Sequence, residues 1–76
     1  MNSELSPYLK LLVEEFQKAT DQYGPMRSPH EGYGILKEEV DELWDAIKGN
    51  SNKNARKEAI QVAAMALRYL VDSEGW

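Results

Sequence analysis

At 76 residues, with a net charge of −4 and a pI near 4.9, the chain is read as a single domain spanning residues 1–76. Its acidity excludes a general binder of nucleic-acid polymers, because a phosphate backbone requires a basic surface. A fold this small buries only about 60% of the surface its unfolded form exposes, and with no cysteine neither disulfides nor thiolate metal sites compensate, which leaves self-association as the common remedy.

No stretch approaches the roughly 18 apolar residues of a membrane span, and Met1-Asn2-Ser3-Glu4 lacks a basic region followed by an apolar run. The expectation is a soluble, cytoplasmic protein with no membrane partner. The first helix is expected to begin with Ser6 as N-cap and Pro7 at the first helical position, where a missing N–H costs nothing, and to end near Tyr23 before Gly24-Pro25. Tyr8, Leu12, Phe16 and Ala19 recur at helical spacing beside Leu5, Leu9 and Val13, opposite a polar face of Lys10, Glu14, Gln17 and Lys18. This is a packing helix.

Ser28-Pro29-His30-Glu31 carries the order of a capping box and starts the second helix. Gly32 and Gly34 weaken its first turns by up to about 1 kcal/mol each relative to alanine, so they are either a tolerated cost or a place of close approach. The apolar seam Ile35, Leu36, Val40, Leu43, Trp44 and Ile47 runs to Lys48-Gly49, where glycine stops the helix. After the polar loop Gly49–Asn54, a third helix is expected from about Ala55 to Asp72. Its apolar side is Ile60, Ala63, Leu67, Leu70 and Val71, with Ala59, Ala64 and Ala66 permitting tight helix contact. A second stripe of Glu58, Gln61, Met65, Arg68 and Asp72 mixes polar groups with a methionine, which is unusual for a face that simply meets water. The terminal Trp76 points to docking on a neighbour. No strand pattern, repeat or low-complexity tract competes with three helices.

The densest chemistry lies in Glu38-Glu39-Val40-Asp41-Glu42-Leu43-Trp44-Asp45-Ala46-Ile47, with five acids on one amphipathic helix. Glu39 and Glu42, three apart, are neighbours on one face and repel unless a cation lies between them. Glu58 and Gln61 have the same spacing on the next helix. Two facing helices would present Glu39, Glu42, Glu58 and Gln61 to one hard divalent ion through oxygen, the ligand class that Mg²⁺ takes. The competing reading is a solvated acidic face.

This EExxExxDAI segment, followed by a helix carrying Glu58, resembles the MazG-like branch of the all-α nucleoside triphosphate pyrophosphohydrolases over roughly Ser28 to Asp72. The resemblance implies that paired acids on two helices bind Mg²⁺ and that a nucleoside triphosphate is cleaved between its α and β phosphates. By position, Glu39 and Glu42 match the first pair and Glu58 opens the second. Gln61 stands where that family has a further acid; a glutamine offers a carbonyl oxygen without charge, so the site would draw on Asp45 or a partner chain. Glu38 is the nearest spare acid for a general base.

The remaining candidates each have a plain reading beside the functional one. His30, at the start of helix two, contacts substrate or merely sits near the cap. Arg56 and Lys57 open helix three, where the helix dipole favours anions, so they serve phosphate binding or are solvated. Arg68 reaches a phosphate or forms an internal salt bridge, and Trp44 and Tyr33 stack on a base or fill the core. Together these features predict an all-α protein, a helical hairpin plus an N-terminal helix, completing a four-helix-type bundle as a homodimer or homotetramer with its pocket between chains. The alternative is a non-catalytic helical oligomer that binds nucleotides or other proteins.

Overall fold

A computed structural model describes residues 4–76; Met1–Ser3, part of the segment read above for targeting signals, lie outside the described residues. The chain is all-α, with helices α1 (Ser6–Tyr23), α2 (Pro29–Lys48) and α3 (Asn52–Asp72) and a closing 3-10 turn, Ser73–Gly75. Among the described residues there is no strand, and no helix is long and apolar enough to cross a membrane.

The helix ends depart from expectation for local reasons. Leu5, not Ser6, takes the N-cap of α1, because the Leu9 amide reaches the Leu5 carbonyl at 2.9 Å; no side chain caps this end. Pro7 still falls among the amides that have no helical acceptor. Gly24 closes α1 with φ of 72°, a left-handed value that glycine adopts without strain. At α2 the Ser28 hydroxyl accepts from the Glu31 amide at 3.1 Å, as the capping box requires. Glu31 does not reach back; its carboxylate takes the Arg27 guanidinium at 3.2 Å. Gly49 does not supply the chain reversal after α2, since its φ is −80°; Asn50, at φ 58°, adopts the left-handed conformation that asparagine tolerates. Ser51 then accepts from the Asn54 amide at 3.3 Å, and this cap starts α3 at Asn52, three residues ahead of the expected Ala55.

α3 is the central element. α2 folds back on it as a hairpin through the three residues between Lys48 and Asn52, and α1 packs along another side. The packed centre is small: Ala19, Met26, Ala64 and Met65 are buried, with Leu12, Ile35, Leu36 and Tyr69 against them. Most of the expected apolar side of α3 is not the buried one. Leu70 is 66% exposed and Ala63 and Val71 are exposed, whereas Ala64, Met65 and Arg68 are buried and Glu58, Gln61 and Asp72 half-buried. The polar stripe turns inward because its groups find partners there. Gln61 Nε2 donates to Glu15 Oε2 at 2.7 Å, Arg68 Nη2 to the Gly24 carbonyl at 2.6 Å, and Asp72 Oδ2 accepts from the Met26 amide at 2.9 Å. On α2 the outer half of the seam is also uncovered, with Val40, Trp44 and Ile47 exposed.

Trp76 docks on its own chain. Its indole N–H donates to the Met26 carbonyl at 3.1 Å, and its ring meets Tyr69 edge-on with centroids 4.9 Å apart. Tyr69 in turn explains one of the two glycines of α2: a Cβ on Gly32 would lie 2.5 Å from the Tyr69 ring, whereas one on Gly34 would meet nothing within 4 Å. Gly32 is thus the close approach and Gly34 the tolerated cost. Gly34→Ala should raise the thermal midpoint, by about 4–8 °C for each ~1 kcal/mol gained in a domain of this size, and Gly32→Ala should lower it. Paired melting curves check both signs.

Candidate metal centre

The hairpin sets the register of the acids. Gly32 lies against Tyr69 at one end, and Asn50 makes the reversal at the other, so residues equally far from Asn50 in sequence face each other across α2 and α3. Glu42 and Glu58 are such a pair, and Glu39 lies one turn from Glu42 on the same face. Carboxylate oxygens of Glu39, Glu42 and Glu58 all lie within 4.8 Å of one another. Two oxygens on opposite sides of one Mg²⁺ are about 4.2 Å apart, so the cage has the dimensions that a hard divalent ion spans.

Its electrostatics are those of acids packed close together. Burial pushes the Glu39 carboxyl up to about 7, with the charges of Glu42, Glu58 and Glu38 adding to the shift. Glu58 is raised as well, by burial first and by Glu42 next, with Lys57 opposing. Glu58 Oε2 is sealed from water and no donor reaches it. Three other acids of α2 are matched, Glu31 with Arg27, Asp41 with Lys37 at 2.9 Å, and Asp45 with Lys48 at 3.4 Å, while Glu38 is not among these pairs. Among the described residues no base forms an ion pair with Glu39, Glu42 or Glu58. A buried oxygen without a donor is costly, and a divalent cation or a shared proton removes the cost.

The other predicted site residues separate into groups. Glu38 is exposed beside Glu39. Gln61 directs its amide N–H to Glu15 on α1, a bond that engages its nitrogen and not the carbonyl oxygen expected as a ligand. Asp45, engaged with Lys48, does not join the three acids. Arg68 is 2% exposed, too enclosed to meet a phosphate, and in place of the expected salt bridge it binds the Gly24 carbonyl and Met65 Sδ, the latter at 3.3 Å. His30 is exposed nine residues before Glu39, about 13 Å along the helix axis, and is not brought to the acids. Trp44, 56% exposed beneath the Lys48 ammonium at 5.8 Å, and Tyr33, also exposed, are not core aromatics.

Arg56 and Lys57 border a cleft of about 500 Å³ between α1 and α3, whose walls include Tyr8, Leu11, Glu15 and Gln61. Arg56 Nη2 approaches the Tyr8 hydroxyl at 3.4 Å, with the guanidinium 5.9 Å from the ring centre. Tyr8 and Glu15 escaped the sequence reading as site residues because α1 reads as a packing helix. Glu15 did leave a signal: it falls midway between Leu11 and Ala19 at four-residue spacing, an acid interrupting an apolar row. No protein-family model matches the chain, and no curated protein or solved structure matches it.

The raised Glu39 carboxyl gives a signed pH dependence. The folded protein holds this proton up to about pH 7, whereas the unfolded chain releases it near the ordinary 4.5. Without metal, Glu39 therefore stabilises the fold fully below about 4.5, and that contribution disappears as pH rises through about 7. Melting midpoints of the parent minus those of Glu39→Gln should fall across this window, and a flat difference would show that the site does not hold the proton.

Proposed function

We propose that the chain is a Mg²⁺-dependent nucleoside triphosphate pyrophosphohydrolase, releasing nucleoside monophosphate and pyrophosphate. The observation that carries this reading is the three-acid cage with its donorless Glu58 Oε2. The likeness of Glu38–Ile47 to the MazG-like motif supports the choice of substrate. Glu39, Glu42 and Glu58 would hold the ion, which when bound neutralises phosphate charge and polarises a water. Lys57 precedes Glu58 directly and acts on its carboxyl, and Arg56 borders the neighbouring cleft, so these two cations would meet the phosphates. Glu38, exposed beside Glu39, takes the proton from the attacking water.

The functional unit in this reading is a homo-oligomer, a homodimer or homotetramer that completes the bundle. The protomer exposes 5622 Å², whereas a compact monomer of this mass is expected to expose about 4,700 Å². The excess, about 900 Å², matches what one partner gives to an interface of standard size. The radius of gyration, 13.0 Å, likewise exceeds the roughly 11.4 Å of a compact chain of this length. Among the described residues twelve large apolar side chains remain exposed, Trp44 and Leu70 included, so a second copy has apolar area to cover.

The engagement of Gln61 by Glu15 favours a second reading, in which a bundle with only three acids binds nucleotide as a non-catalytic module. Pyrophosphate release from mixed nucleoside triphosphates with Mg²⁺ separates the two: release carries the enzyme, and metal-independent nucleotide binding without release carries the module. Glu42→Gln should reduce release by about 100-fold or more while the protein stays folded, because loss of even a residue that supports a metal ligand costs 10–100-fold. Equal rates in parent and variant would remove Glu42 from the site. For the assembly, the thermal midpoint should rise with protein concentration, and sedimentation as a folded monomer at micromolar concentration would reject it.

A further inference from the structure

The cleft between α1 and α3 is separate from the acid cage but adjoins it. Its volume of about 500 Å³ falls within the roughly 300–1,000 Å³ of small-molecule sites. Tyr8, Leu11 and Ile60 give it apolar walls. One end carries Arg56 and Lys57, with the Arg56 guanidinium set against the Tyr8 ring and hydroxyl. At the other end Gln61 donates to Glu15 at 2.7 Å, and both residues are half-buried. Arg56 and Gln61 are five residues apart on α3, about 7.5 Å along its axis, a span comparable with a nucleoside.

This arrangement is directional. Two adjacent cations in a chain of net charge −4 form a local site for anions, and an apolar slot with an aromatic ring suits a planar base. The acid-amide pair lies where the edge of that base would end. An ionised carboxylate only accepts hydrogen bonds; the Gln61 bond occupies Oε2, which leaves Oε1 to face a donor. Glu58 lies one turn before Gln61 and next to Lys57 in sequence, so the cationic end and one acid of the cage share the first turns of α3.

We propose that the cleft receives the nucleoside end of the nucleotide, with Arg56 and Lys57 on the phosphate and Glu15 and Gln61 reading the base, and that it selects a base whose edge carries an exocyclic amine. A carbonyl oxygen in that position would face the Glu15 carboxylate and be repelled. Gln61 is then a specificity residue of the cleft rather than a metal ligand. The choice of a nucleotide as ligand rests on the function proposed above; the geometry of the cleft does not.

Cytidine and uridine monophosphates differ at the base edge by an amine beside a bare N3 against a carbonyl beside an N3–H, and neither carries the bond that the proposed reaction cleaves. Titrating the full chain with each, without metal, and following backbone amides by NMR tests the cleft apart from hydrolysis. The expected result is shifts at Leu11, Ile60 and Gln61, with cytidine monophosphate binding about five- to tenfold more tightly, the scale of one well-placed base-edge contact. Glu15→Gln should erase most of that preference, and Arg56→Ala, at an exposed position, should weaken both ligands equally. Equal affinity for the two ligands overturns the proposal, as do shifts that map elsewhere. Cleft amides that respond to protein dilution and ignore nucleotide also overturn it, and would make the cleft an interface between copies. Cleft binding without pyrophosphate release in the Mg²⁺ assay defeats the catalytic reading alone; release with a cleft silent to nucleotide defeats this one alone.

Discussion

The buried guanidinium of Arg68 is the constraint on which the arrangement of helices depends. A charge at 2% exposure must find acceptors within the protein, and it finds one in the carbonyl of Gly24 at 2.6 Å. That carbonyl is available because Gly24 closes α1 in a left-handed conformation that other residues reach only with strain. The end of α1 is thus fixed to α3. The connector after it is held by the same stripe, through Asp72 to the Met26 amide, and by Trp76 to the Met26 carbonyl, so Met26 becomes the most enclosed residue of the loop. The Arg68 Nε–H, sealed without an acceptor, shows that this anchoring is made at some cost in polar satisfaction.

Turning the polar stripe inward has a consequence at its other end. The face that carries Arg68 and Gln61 also brings Glu58 against α2, where Glu39 and Glu42 already stand one turn apart. No base is supplied there, although the ion pairs of α2 neutralise Glu31, Asp41 and Asp45. Glu39, Glu42 and Glu58 are crowded together without a neutralising partner, and the Glu39 carboxyl, raised to about 7, holds its proton.

The same rotation of α3 leaves apolar surface outside. With Leu70 and Val71 turned away from α1 and α2, and Val40, Trp44 and Ile47 uncovered on α2, the protomer's packed centre consists of two methionines, two alanines and a few half-buried neighbours. So small a centre offers little to offset the chain entropy of folding.

Three helices, their order and the capping role of Ser28 were legible in the sequence, because helical periodicity and cap chemistry act over a few residues. The meeting of Glu39, Glu42 and Glu58 was legible too: i,i+3 spacing puts two acids on one face, and a short reversal between antiparallel helices brings the third opposite. Which face of α3 turns inward was not, since it carries one apolar and one mixed stripe, and periodicity alone favours the apolar one. Tertiary structure decided for the mixed stripe by providing Glu15 for Gln61, the Gly24 carbonyl for Arg68 and the Met26 amide for Asp72. Those partners lie 44 to 46 residues away in sequence, beyond any local pattern, and for the same reason the chain alone could neither pair Gln61 with Glu15 nor place Tyr8 and Glu15 in a cleft.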